Sequence, residues 1–289
     1  MSSIDTIGGL AFSPDGHIMA CATGQVVILY DTRSWSECGV LKGHEREAVN
    51  VRFFPSGRVI ASSDFVFIRF WDLGTKAQIA KIKAHSSWVY SLAITADGKK
   101  IASVGNDDFL RIWSVCDCRE VGRKRFSSFV QSVAFSPRDG RLAVSCGTSI
   151  RFYDVETMKE KQVLKRHKTT IQVIAFSSDG LMVASGDNGT AVVKVWQVAS
   201  GDEKLRLTGH TIAVWALAFS PDSMLLATGG EEGSVRLWNT DNGEEIAELM
   251  FPEVGILESK AVNAVAFSPD GNWLAAGGSG KMLQVWNVK

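Results

Sequence analysis

The sequence predicts an all-β fold of seven small sheets set side by side around a common axis. Three observations carry that expectation. One phrase recurs seven times along 289 residues, the segments around it alternate with period two, and proline is almost confined to one place in the repeat.

The phrase Ala11-Phe12-Ser13-Pro14-Asp15-Gly16 returns as Phe53-Phe54-Pro55-Ser56-Gly57, Ile94-Thr95-Ala96-Asp97-Gly98 and Phe135-Ser136-Pro137-Arg138-Asp139-Gly140. It continues as Phe176-Ser177-Ser178-Asp179-Gly180, Phe219-Ser220-Pro221-Asp222-Ser223 and Phe267-Ser268-Pro269-Asp270-Gly271. Each unit closes on an aromatic: Tyr30, Trp71, Trp113, Tyr153, Trp196, Trp238 and Trp286, at intervals of 41, 42, 40, 43, 42 and 48 residues. Within a unit, runs such as Val214 to Phe219, Leu225 to Thr228 and Val235 to Trp238 read as strands. A fourth strand, such as Ala77 to Ile82, follows the closing aromatic. The Ser-Pro-Asp-Gly segments are turns, because Pro presets φ and Gly tolerates positive φ. Five of the six prolines (Pro14, Pro55, Pro137, Pro221 and Pro269) sit there, which leaves the strand ladders intact. A lone sheet cannot bury both faces, so seven must stack on one another, as in a β-propeller.

Composition narrows the function classes. The chain is 45% hydrophobic and 21% charged, enough apolar material for a substantial core. Lys plus Arg total 31 and Asp plus Glu total 31, which argues against a coat for nucleic acid or anionic lipid. No apolar run reaches the roughly 18 residues of a membrane helix. The first residues lack the pattern of a signal peptide, and five cysteines do not make a disulfide framework. The expectation is a soluble protein of the reducing cytoplasm, with neither cofactor nor metal.

The sequence resembles the WD-repeat β-propeller family over residues 7–289. Gly43-His44 and Gly209-His210 match its Gly-His pair, and Ala84-His85 and Arg166-His167 keep the His. Trp71-Asp72 is the full Trp-Asp pair, Tyr30-Asp31 and Tyr153-Asp154 keep the Asp, and Trp238-Asn239 and Trp286-Asn287 come close. The resemblance implies a buried Asp-His-Ser-Trp hydrogen-bond network. His85, Ser103, Asp107 and Trp113 supply the whole set, and His210, Thr228, Glu232 and Trp238 a variant with the longer Glu. Phe126 and Glu258 fall in the His place of units four and seven, and Ala276 in the Ser place of unit seven, so those blades rely on packing.

The ring is read as one domain over residues 1–289 with a final blade of three strands, 27 in all. Ser3 stands where the first His would fall, and Lys289 follows the third strand of unit seven, Leu283 to Val288. Either the domain is cut from a longer protein, the favoured alternative, or a partner pairs with the open edge.

In the family, residues three and five places after the His line the top of the central channel. Here these are Glu47 and Val49, Trp88 and Tyr90, Phe129 and Gln131, Thr170 and Gln172, Ala213 and Trp215, Ala261 and Asn263, and Thr6 and Gly8. Glu47, Val49, Trp88, Tyr90, Phe129, Gln131, Gln172, Trp215 and Asn263 are the candidate partner-binding residues, a mixture of rigid aromatics and amides suited to peptide capture. The competing readings are that large side chains plug the channel, or that the aromatics cage a cation. A loop near Met250 to Ile256, lengthened by the 48-residue interval, is expected on the same face.

Other features carry less. Residues 117–168 hold twelve Lys/Arg against six acids and residues 222–258 one Arg against nine, read first as solvated rims. Arg123-Lys124-Arg125 is too short for a nucleic-acid patch. Gly277 to Lys281 lacks the Ser or Thr of a phosphate loop and reads as a strand-to-strand turn. Cys116-Asp117-Cys118, expected on an outer strand, lacks a second ligand pair for zinc. The function expected is a non-catalytic scaffold or recognition module for a protein or peptide. The alternative is a propeller hydrolase or lyase, for which Glu47, with Glu253 and Glu258 in reserve, is the available carboxylate.

Overall fold

Alternation of apolar and polar residues, broken at regular turns, produces 27 strands in seven antiparallel sheets among the described residues. The computed structural model describes residues 5–165, 167–251, 259–280 and 282–289. Blades one to six have four strands each, and blade seven has three: Val262–Phe267, Trp273–Gly278 and Leu283–Asn287. The seven-bladed ring and its three-stranded last blade agree with the sequence expectation.

Each recurring phrase is the turn from the inner strand to the second. In blade one Ser13 Oγ donates to Asp15 Oδ1 at 2.5 Å, and the same carboxylate oxygen accepts the His17 amide at 3.0 Å. Gly16 takes a φ of 73°, which a residue with a Cβ adopts at a cost; Ser223 accepts 62° in blade six.

The core lies between blades, not within them. Blade one meets blade two through Ala20, Leu29, Leu41, Val51, Ile60 and Trp71. Blade seven meets blade one through Ala264, Ala275, Ile7, Leu10, Met19 and Cys21, which closes the ring. Burial pushes the Cys21 thiol up to about 12, and all five cysteines are free thiols. Trp35 lies edge-on to Trp273 with ring centroids 5.4 Å apart, a second tie between the ends of the ring.

Four blades carry a buried hydrogen-bond chain. In blade three Trp113 Nε1 donates to Ser103 Oγ at 2.9 Å, Ser103 Oγ meets His85 Nε2 at 2.8 Å, and His85 Nδ1 meets Asp107 at 2.7 Å. An indole only donates and a carboxylate only accepts, so the hydroxyl accepts from Trp113 and donates to a neutral imidazole. Blade six repeats the chain through Trp238, Thr228, His210 and Glu232, the longer Glu still reaching the ring. Blades two and five complete it with Ser62 and Asp64, and with Ser185 and Asp187. Cys21, Val144 and Ala276 hold the hydroxyl's place in the other three blades, two places along from the partner of the closing aromatic. Blade four instead packs Phe126 edge-on to Tyr153, centroids 6.0 Å apart.

Some expectations need correction or lie outside the described residues. Cys116, Asp117 and Cys118 occupy the turn between Phe109–Ser114 and Glu120–Arg125, not an outer strand, because Cys118 turns the chain at a φ of 57°. Met250 ends the outer strand of blade six, and Phe251 is buried against Trp286. Ser3, Arg166, Glu253, Glu258, Lys281 and the rest of the expected loop from Pro252 to Ile256 lie outside the described residues.

Removing a hydroxyl from the chain strands two buried partners at once. We expect Ser103→Ala to lower unfolding stability by about 1–3 kcal/mol in urea titration. Ser103→Thr keeps a hydroxyl, as Thr228 does in blade six, and should retain more of the stability than Ser103→Ala.

Acid should act in two stages. Burial lowers the His85 pKa, against the opposing pull of its hydrogen bond to Asp107. The unfolded chain therefore binds the extra proton first, and stability falls as pH drops below about 6.5. Burial alone would raise Asp64, Asp107, Asp187 and Glu232, but hydrogen bonds chiefly from their histidines lower all four, Glu232 to about 2. Their contribution is complete above the ordinary carboxylate range and is lost as pH falls from about 4 toward the lowered values. Urea midpoints measured against pH check this; a midpoint flat down to about pH 5 contradicts the His85 stage.

Candidate functional site

The inner strands of all seven blades converge on the axis and enclose a channel of about 530 Å³. Each begins on the same face, here the mouth, and ends at its Ser-Pro-Asp-Gly turn on the opposite face. The residues five places after the His position all line this channel: Gly8, Val49, Tyr90, Gln131, Gln172, Trp215 and Asn263. The residues three places after it are absent from the lining. Glu47 is exposed, Phe129 is 61% exposed, and Trp88 lies edge-on to Phe65 with centroids 5.1 Å apart. Thr6 is exposed, Thr170 half-buried, and Ala213 and Ala261 are buried.

Local contacts set the mouth's chemistry. Tyr90 Oη donates to Asn106 Oδ1 at 2.7 Å, and burial raises the phenol's pKa, so it stays a neutral donor. Asn263 Nδ2 donates to the Ile7 carbonyl at 3.3 Å and ties blade seven to blade one. The side-chain amides of Gln131 and Gln172 have no protein partner among the described residues, which leaves donors and acceptors facing the channel. Trp215 is 38% exposed beside them. At Gly8 a Cβ would stand 2.7 Å from Val49 Cα, so blades one and two approach backbone to backbone there.

The channel lining among the described residues holds no carboxylate and no histidine. The four network histidines are buried in their blades, bonded to a hydroxyl and a carboxylate. No group of three or more His, Cys, Asp or Glu side chains among the described residues is arranged to hold a metal. The basic stretch is neutralised in part on the rim: Arg151 pairs with Glu160 at 2.7 Å, Arg141 with Asp139 at 2.7 Å and Lys161 with Asp154 at 3.5 Å. In the acidic stretch Arg236 holds both Glu245 and Glu248. No helix among the described residues is long and apolar enough to cross a membrane.

Sequence reasoning missed one lining residue with distinct chemistry, Arg52. Its signal was present in the repeat, since Arg52 stands where the other six units carry Ala before the turn phrase.

Comparison with known proteins agrees with this architecture. The model of the WD domain, G-beta repeat, matches residues 76–114, 158–197, 201–239 and 253–287, more than half of the chain. The p21-activated protein kinase-interacting protein 1-like of Gallus gallus is 23% identical over 172 residues, 60% of this chain and 46% of that protein. The small ribosomal subunit protein RACK1 of Caenorhabditis elegans is 28% identical over 164 residues, 52% of this chain and 50% of that protein. The transcriptional corepressor LEUNIG_HOMOLOG of Arabidopsis thaliana is 24% identical over 236 residues, 80% of this chain and 29% of that protein. The chain spans about half the length of the first curated relatives it matches. With its repeats matched and its seven blades set around one channel, the chain belongs to the WD40-repeat β-propeller family.

Proposed function

We propose that this propeller is a non-catalytic recognition module that binds a peptide or protein segment across the channel mouth. Propellers of this family are typically protein-interaction scaffolds, and one relative is named for interacting with a kinase. The observation that carries the reading is the mouth itself. Tyr90 and Trp215 line the same cavity as the side-chain amides of Gln131 and Gln172, which have no partner among the described residues. Aromatic anchors beside convergent polar groups are the usual composition of a binding hot spot. Trp88 and Phe129, outside the channel but on the same face, extend the aromatic surface toward blades three and four. The free thiols suit a reducing, cytoplasmic setting.

A second reading concerns blade seven. Among the described residues its strand Leu283–Asn287 is paired on one side only, beside a cleft of about 360 Å³ lined by Met19, Tyr30, Trp35, Trp273, Leu283 and Val285. An apolar cleft along an open edge suits a fourth strand, supplied by a further segment of the same polypeptide or by a partner.

Affinity capture from lysate tests the first reading. Trp88→Ala/Trp215→Ala should lose the specific partners, with affinity falling about thirtyfold or more if these are hot-spot residues. Leu181→Ser/Met224→Ser, in exposed turns of the opposite face, should keep them. Partners indifferent to the tryptophans would remove the mouth from the account. Hydrogen exchange tests the second reading: an added strand should slow alternate amides of Leu283–Asn287. Unchanged exchange in a longer polypeptide and in captured complexes would exclude edge pairing.

A further inference from the structure

Six of the seven blades place alanine at one position of the inner strand: Ala11, Ala93, Ala134, Ala175, Ala218 and Ala266. Blade two places Arg52 there, the residue before Phe53 in its turn phrase. Three residues along the strand from Val49, it lies about 10 Å deeper than the mouth. Small side chains suit a position where seven strands crowd together. A guanidinium at one of them puts a permanent charge into the wall of a narrow cavity.

That charge has no counter-ion among the described residues. Among the described residues the one hydrogen bond from the Arg52 side chain is from Nη1 to the Val51 carbonyl at 2.9 Å. A guanidinium carries five N–H donors. The other six blades carry alanine at this ladder position, and the channel lining among the described residues holds neither Asp nor Glu. Arg69, Arg111, Arg151 and Arg236, by contrast, each sit on a carboxylate. Burial lowers the Arg52 pKa from its ordinary value, the mark of a charge deprived of water, yet an arginine stays protonated. The half-buried side chain shares the cavity with polar neighbours, Asn50, Ser91 and Ser132.

We propose that the channel is an oxyanion site, in which Arg52 binds a carboxylate or phosphate group. The planar fork matches two oxygens of such a group, and the described lining offers no carboxylate to compete with it. The group comes either as a free ion or on a segment held at the mouth. Only this second source rests on the function proposed above.

Inorganic phosphate is the direct probe, titrated against chloride at matched ionic strength to separate binding from screening. Backbone amide signals of Ser91 and Ser132 should shift saturably with phosphate in the wild type. Arg52→Ala, which restores the residue of the other six blades and so suits the fold, should weaken the response at least about tenfold. Arg52→Lys keeps the charge without the fork and should fall between the two. Phosphate that also competes with partner capture at the mouth assigns the anion to the partner segment. Capture unaffected by phosphate assigns it to a free ion. No saturable shift in the wild type, or an equal shift in Arg52→Ala, overturns the site even if the mouth still binds partners.

Discussion

A four-stranded sheet with two apolar faces stays dry only if something covers both, and here the cover is always another blade. Seven apolar layers therefore alternate with seven sheets, and each layer draws residues from two neighbours. The layer between blades seven and one brings the two ends of the repeat array together. Ile7 packs with Ala264 and Ala275 there, and its carbonyl accepts from Asn263, 256 residues away. The entropy of closing so long a loop grows only logarithmically, so the apolar layer can offset it. Everything at the axis depends on this closure, since seven inner strands make a channel only when the last meets the first.

Polar groups inside the layers obey a stricter rule than apolar ones. A Trp indole, a His ring and a carboxylate are tolerated in blades two, three, five and six because one hydroxyl joins them in series. Where that hydroxyl is missing the His and the carboxylate are missing from the sequence too, although blade seven keeps its closing Trp286. Blade four has Val144 in its place and replaces the His–Trp pair by Phe126 against Tyr153. Its Ser145, one position on, accepts from the amides of Gln131 and Ser132 instead, and the regular inner strand starts only at Val133. Hydroxyl, ring and carboxylate are thus kept or lost as a unit, as expected when each would be costly alone.

The fold was legible because its signal is repeated. Period-two runs and turn phrases recur at nearly constant spacing, so an error in one unit is corrected by the others. The full network sets of blades three and six were legible for the same reason. Blades two and five were not, because their carboxylates sit two residues after the hydroxyl, as in Ser62 and Asp64. Asp107 and Glu232 sit four after it. The shorter spacing reaches the same ring atom from the end of the strand, and spacing rules drawn from one geometry pass over the other. Cys116 and Cys118 failed for a different reason: the outer strand starts after a turn, and short polar segments carry no periodicity to mark where. At the mouth, counting from the His separated two sets that look alike in sequence. The residues five places on face the channel and those three places on do not: a regular pleat would put residues two apart on one face, and the irregular pairing at Gly8, Tyr90, Gln172, Trp215 and Asn263 breaks that rule.

A ring of near-equal units has a consequence for where recognition resides. Positions that serve the inter-blade layers must be alike in every blade, so they carry little that is particular to this protein. Departures from the repeat are tolerated where they do not break a layer, and the axis is such a place, because side chains there meet solvent as well as neighbours. Gly8 brings two backbones together at the mouth, Trp215 stands 38% exposed, Tyr90 is pinned by Asn106, and Arg52 replaces an alanine. Each alters the chemistry of one shared cavity. The physical logic that makes the blades interchangeable therefore concentrates what is individual about the molecule along its axis.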